Sequence, residues 1–158
     1  GNDKPGVFFI TLDAGNSFIA NIAKRWYHLP YYCSNMSINV RGNTVYFDSE
    51  RKKSVFARQF RGSFQPVSSP FTAKAGTLEH WLTERYRFYC RCPRNHRIYQ
   101  GDIDHEPWKL QKAQVEIECN TLMDQHGLHL PAADPPLVHY SRGVTSRIWP
   151  VRRFAKRE

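Results

Sequence analysis

The sequence predicts an α+β fold: a mainly antiparallel β-barrel or strongly curved sheet with flanking helices. Three observations carry that expectation. Apolar and polar residues alternate with period two in segments spread from Met36 to Cys119. Helical spacing is confined to two short stretches, one after Asn16 and one after Thr77. The 158 residues, 41% of them hydrophobic and 14% aromatic, suffice for one packed core, so a single domain over 1–158 is expected.

The elements follow in order. Val7 to Leu12 is an apolar run ending in Asp13-Ala-Gly-Asn, which reads as a buried strand followed by a helix start. From Ser17 to Tyr27 the residues Phe18, Ile19, Ile22, Ala23 and Trp26 fall on one helical stripe. Pro30 stops that helix by disfavouring the α region at Leu29. Met36, Ile38 and Val40, a Gly42-Asn43 turn, and Val45 with Phe47 then form a hairpin.

Phe56, Arg58, Phe60, Gly62 and Phe64 share one face of the next strand, which Pro66 ends. Thr77 caps a short helix with Leu78, Trp81, Leu82 and Arg85 on one side. Tyr86, Phe88, Cys90 and Cys92 lie opposite Arg85, Arg87 and Arg91 on a strand that turns at Pro93-Arg94-Asn95. Tyr99, Ile103 and His105 then oppose Asp102 and Asp104, unless Gly101 hosts a bulge and reverses the phase. Ala113, Val115, Ile117 and Cys119 mark one more strand, and Leu137 to Trp149 is a last extended segment interrupted at Arg142-Gly143.

Charge does not identify a partner. The net +9 is concentrated in an acid-free block of Arg51, Lys52, Lys53, Arg58 and Arg61 and in a tail from Arg152 to Glu158, which read as solvated basic surface. The arginines from Arg85 to Arg97 precede a net acidic stretch from Asp102 to Glu118, as expected if adjacent strands exchange charged pairs. No apolar run approaches the ~20 residues that span a bilayer, and no signal-peptide pattern opens the chain. Gly1-Asn2-Asp3, without an initiator Met, reads as a trimmed start. Cys33, Cys90, Cys92 and Cys119 lack disulfide or zinc spacing, so reduced thiols and a cytoplasmic location are expected.

Candidate chemistry rests on phase and position. His105 points inward with Ile103 and Tyr99, as a core histidine or as a pocket acid or base. Arg58, on an apolar strand face, needs an anionic partner: an internal carboxylate such as Glu84, or a ligand. Glu84 stands where helix and strand meet. Asp102, Asp104 and Glu106 share an outer face without a calcium-type loop, and the seven histidines show no i, i+4 pair. No metal and no cofactor are expected. Motifs for dinucleotide, phosphate-loop, metalloprotease and serine-hydrolase chemistry are absent.

Gly6-Val-Phe-Phe-Ile-Thr-Leu-Asp-Ala14, Leu29-Pro-Tyr31 with Met36, Leu78-Glu-His, Leu82-Thr-Glu-Arg-Tyr86, His105-x-Pro-Trp-x-Leu-Gln111, Asn120-Thr-Leu122 and Pro136-Leu-x-His-Tyr-Ser141 before Trp149-Pro150 together resemble the YqjF-like family. That family of bacterial proteins of unknown function is placed in the acetoacetate-decarboxylase-like superfamily. The resemblance covers 5–150 and leaves 151–158 as a basic tail. It implies a closed or nearly closed antiparallel barrel around an internal cavity. In the decarboxylase a lysine after a tyrosine-proline turn forms the Schiff base. Here the similar turn reads Leu29-Pro30-Tyr31-Tyr32-Cys33, a tyrosine stands at the lysine position, and imine chemistry is not expected. The resemblance also implies further N-terminal strands ahead of the matched region.

The leading functional expectation is a small-molecule-binding barrel, enzyme or not, for an acidic or carbonyl-bearing metabolite. Arg58 would hold the anion, Tyr31, Trp108 and His139 would line the pocket, and Glu84 and His105 would handle protons. The alternatives are a nucleic-acid module using the 51–61 block and a subunit that self-associates through an open barrel edge. A membrane partner is not expected.

Overall fold

The computed structural model describes residues 5–52, 58–127 and 137–154. Lys53 of the basic block, Phe56 of the strand face read after it, and the end of the tail lie outside the described residues.

The first apolar run divides into β1 (Val7–Phe9) and β2 (Leu12–Ala14). Helix α1 (Ser17–Tyr27) follows, capped by the Asn16 carboxamide, which accepts from Phe18 N at 2.9 Å and Ile19 N at 3.3 Å. It ends at His28, whose φ of 54° is left-handed, one residue before Leu29-Pro30. The hairpin β3 (Tyr31–Arg41) and β4 (Thr44–Arg51) turns on Gly42 at φ +61°. Strand β5 (Gln59–Pro66) precedes α2 (Leu78–Thr83), whose cap is Thr77. Strands β6 (Arg87–Arg91), β7 (Ile98–His105) and β8 (Gln111–Asn120) come next. The short β9 (His139–Tyr140), β10 (Ser146–Ile148) and β11 (Arg152–Arg153) complete the order.

Two sheets result: a five-stranded one, β1-β6-β7-β10 with β11 also on β7, and a six-stranded one, β2-β3-β4-β5-β8-β9. The break at 10–11 lets one run of chain serve both, with β1 parallel to β6 and β2 parallel to β3. The segment 139–148 does the same, β9 pairing with β8 and β10 with β7. The result is a strongly curled half-barrel, where the family resemblance implied a closed or nearly closed cylinder. The sheet is mainly antiparallel, as expected, with two parallel pairs that arise from the interruptions. A strand that must bond two differently oriented neighbours breaks where it changes partner. Among the described residues no helix is long and apolar enough to cross a membrane.

The buried core gathers Leu29, Phe88 and Cys90, with Phe9, Leu12, Ala23, Tyr27, Tyr31, Tyr99 and Val151 packed against them. The inward phase expected for this face holds: Tyr99 lies opposite Cys90 and Gly101 opposite Phe88, with no bulge at Gly101. Helix α1 meets this core through Ala23 and Tyr27, with Ala20 fully buried, and the two alanines allow close approach. Its larger apolar side chains point outward, Phe18 being 72% and Trp26 68% exposed.

All four cysteines are free, and Cys90 and Cys92 are buried. Burial first, and the neighbouring Cys92 second, push the Cys90 thiol up to about 11. Cys33 and Cys119 are accordingly expected to react first with a disulfide reagent in the native protein, with Cys90 and Cys92 unreactive until denaturant is added. Four fast native thiols would contradict this core.

Cross-strand charge pairing is present as expected, Arg87 Nη2 lying 2.8 Å from Asp102 Oδ1 at paired positions. Among its described residues the basic block is exposed at Lys52 and Arg61 and buried at Arg51. Arg51 is buried on Asp13, Arg61 pairs with Asp48 at 2.5 Å, and Arg58 lies 4.0 Å from Asp124. Carboxylates elsewhere in the chain pair with these three arginines.

Candidate functional site

The strongest concentration of polar and aromatic groups lies where α2 runs into β6 and β7 runs out toward β8. Glu84 is the C-cap of α2, its amide donating to His80 O at 3.0 Å. Tyr86 follows just before β6, and its phenol donates to Glu84 Oε2 at 2.5 Å. His105 ends β7, and the segment after it returns Trp108, whose backbone amide donates to Glu84 Oε1 at 3.1 Å. A bridge between Leu110 and Phe71 holds that return in place. One carboxylate therefore accepts from both sides of the junction.

The His105 ring stacks on Tyr86 at 4.7 Å between centroids and meets Trp108 edge-on at 5.7 Å. Its Nδ1 lies 2.8 Å from Glu106 O, and its Nε2 lies 3.4 Å from Arg85 O. The neutral ring can donate to one of these carbonyls, the imidazolium to both. The Arg85 guanidinium covers the Trp81 ring at 4.3 Å.

Two open clefts flank the Tyr86–His105 stack. One of about 480 Å³ is lined by His105, Asp104, Glu106, Lys109, Val144 and Arg147. The other, of about 510 Å³, is lined by Tyr86, Gln100, Ile103, Trp149 and Arg152. Asp104 borders both.

The hydrogen bond to Glu84 is the largest cause that pushes the Tyr86 phenol up to about 12, with desolvation and the Glu84 and Asp104 charges adding to it. A phenol raised in the folded state contributes stability that is complete below the ordinary value of 10 and is lost as pH rises toward 12. In an alkaline titration followed by phenolate absorbance, Tyr86 is expected to ionise well above an ordinary tyrosine. Glu84→Gln should lower that step, and Tyr86→Phe should abolish it. An unchanged curve in Tyr86→Phe would contradict the contact.

The structure brings together three of the six residues singled out from sequence: Glu84, His105 and Trp108. Tyr31 packs in the core cluster, where burial pushes its phenol up. Arg58 lies by Asp124, while the carboxylate suggested for it, Glu84, accepts from Tyr86 and Trp108. His139 stands on β9 with its ring edge-on to Phe71 at 5.9 Å. Sequence reasoning missed Tyr86, Lys109 and Arg147. Tyr86 carried a usable signal, being two residues from Glu84 at a helix-to-strand junction, whereas Arg147 carried none. Among the described residues no cluster of histidine, cysteine and carboxylate side chains could hold a metal ion.

Fold and site together define a curled, two-sheet β protein with a carboxylate–tyrosine–histidine cluster between two open clefts. Residues 1–145 match the model of DUF2071, described as "Uncharacterized conserved protein (COG2071)", and the chain belongs to that family. It is 40% identical over 152 residues to "Uncharacterized protein YqjF" of Bacillus subtilis (strain 168). The match takes in 96% of this chain and 61% of the relative's length. No solved structure matches the chain.

Proposed function

We propose that this chain binds a small anionic metabolite bearing a carboxyl or carbonyl group, in the cleft beside His105. The observation that supports this reading is the joint position of His105, Lys109 and Arg147 on that cleft, with Glu84 and Tyr86 hydrogen-bonded directly behind the histidine. Lys109 and Arg147 would orient the anion in a cleft that Asp104 and Glu106 also line. His105 would donate to the ligand or exchange a proton with it, and Glu84 would act through Tyr86 and Trp108 by holding the stack in place. Pro107 and Val144 supply an apolar wall, and Trp108 stands edge-on to His105.

The curled half-barrel also supports placement in the acetoacetate-decarboxylase-like superfamily, without its imine chemistry. Tyr31 and Tyr32 follow Pro30 in the turn compared with the Schiff-base lysine, and neither carries an amine. The free thiols suit a reducing, cytoplasmic setting.

A panel of carboxylates, keto acids and phosphate esters, followed by thermal shift and calorimetry, tests the proposal. At least one anion should bind, and Arg147→Ala should weaken it by about 1.5–3 kcal/mol, the worth of a hydrogen bond to a charged group. His105→Asn should weaken the same ligand. An anion whose affinity neither substitution changes would place binding elsewhere.

A further inference from the structure

The cleft beside His105 carries charge of both signs. Asp104 and Glu106 line it, and so do Lys109 and Arg147. With a neutral histidine these four charges sum to zero. A bare anion placed there is attracted by two groups and repelled by two others, so a single negative charge does not complement the cleft.

Nor do the four charges satisfy one another. Asp104 and Arg147 stand at paired positions on β7 and β10, so their side chains share a face. Two residues back along β7 the same arrangement closes, Asp102 pairing with Arg87 of β6 at 2.8 Å. Between Asp104 and Arg147 no ion pair forms, and among the described residues Glu106 and Lys109 make none either. All four are exposed, and an exposed charge is stable in water without a partner. The fold therefore does not consume them, and both signs are open to a ligand.

We infer that the ligand of this cleft is a zwitterion: an amino acid with a free carboxylate, a free ammonium and an uncharged side chain. The inference rests on the binding reading given above and adds a second charged group to the same small molecule. The carboxylate goes to Arg147 and Lys109, where the planar guanidinium can hold both of its oxygens. The ammonium, with three donors and no acceptor, goes to Asp104 and Glu106. Each ligand charge then leaves water for an opposite charge. The apolar wall of Pro107 and Val144 suits an uncharged side chain beside them. An oxo acid of the same skeleton turns a carbonyl oxygen toward Asp104 and Glu106, acceptor against acceptor. A phosphate ester fits less well still, since it sets a second negative charge beside the same two carboxylates.

Calorimetry near neutral pH with matched compounds tests this: alanine against pyruvate, leucine against its oxo acid, and phenylalanine against phenylpyruvate. At least one amino acid should bind about tenfold or more tightly than its oxo acid, as a hydrogen-bonded charge contributes. Acetylating the nitrogen of that amino acid removes the ammonium and should lose the same factor. Asp104→Asn with Glu106→Gln should erase the preference and leave the oxo acid bound as before or more tightly. Both positions are exposed and unpaired, so the circular dichroism of this variant should match the wild type. Arg147→Ala should weaken both members of the pair. Equal affinities within every pair, an acetylated form that binds as tightly, or a preference that survives the double substitution overturns the inference and leaves the anion reading standing. Failure of all six compounds to bind also overturns it, and the wider anion panel then decides whether the cleft binds anions at all.

Discussion

Replacing Arg51 with methionine is expected to destabilise the fold by about 3–5 kcal/mol, the cost of leaving one member of a buried ion pair alone. The Arg51 side chain is 2% exposed, and it holds both oxygens of Asp13, Nε to Oδ1 at 2.7 Å and Nη2 to Oδ2 at 2.9 Å. Nη2 also donates to Thr11 Oγ1 at 2.6 Å, and Ser34 Oγ donates to Asp13 Oδ1 at 2.8 Å. The pair ties β4 to β2 immediately after the break at 10–11, so it fixes the strand that serves both sheets. A surface pair would contribute less than about 1 kcal/mol, and burial is what decides between the two magnitudes. The pairing is nonetheless incomplete: Arg51 Nη1 and the hydroxyl of Ser49, two residues away on the same strand face, have no hydrogen-bond partner in the protein. Removing both charges should therefore cost much less than removing one. Arg51→Met with Asp13→Leu is expected to recover most of the loss in urea denaturation. If the single variant loses under 1 kcal/mol, or the double variant equals the sum of the singles, the pair is not holding the break.

Legibility from sequence followed the range of the interaction. Helix α1 was readable to the residue because Asn16 and Pro30 act on their immediate neighbours. The Gly42-Asn43 hairpin and the Thr77 cap were readable for the same reason. The run from Val7 to Leu12 looked like one strand, because its division depends on β6 and β3, both distant along the chain. Arg51 looked like one cation in a basic block, since its carboxylate is 38 residues away. At the site, period-two phase placed His105, and the helix-to-strand junction placed Glu84. Arg147 reaches the same cleft only because β10 pairs with β7, opposite Asp104, and no local pattern announces that pairing. The outward apolar stripe of α1 shows the remaining limit. Periodicity finds an apolar face, but which face the core takes depends on how closely the helix must approach, and here the alanines took it.

Gly101 provides the second large effect. A glycine inside a strand suggests a bulge, and replacing it with alanine would normally gain about 0.5–1 kcal/mol by reducing the freedom of the unfolded chain. Here the strand is regular, and Gly101 lies directly opposite Phe88. A Cβ at 101 would stand 2.5 Å from the Phe88 ring Cε1. That ring is buried among Leu29 and Cys90 and contacts Phe9 at 5.8 Å between centroids, so it has no open side to swing toward. Overpacking costs about 1–3 kcal/mol and outweighs the backbone gain. Gly101→Ala is therefore expected to lower the unfolding free energy, and Gly101→Val to lower it further. Phe88→Leu shortens the obstructing group, so in a double-mutant cycle it should relieve part of the Gly101→Ala loss, with a coupling of about 0.5–3 kcal/mol. Strict additivity, or a stabilised Gly101→Ala protein, would mean that the ring moves aside freely and that this side of the core is looser than its burial indicates.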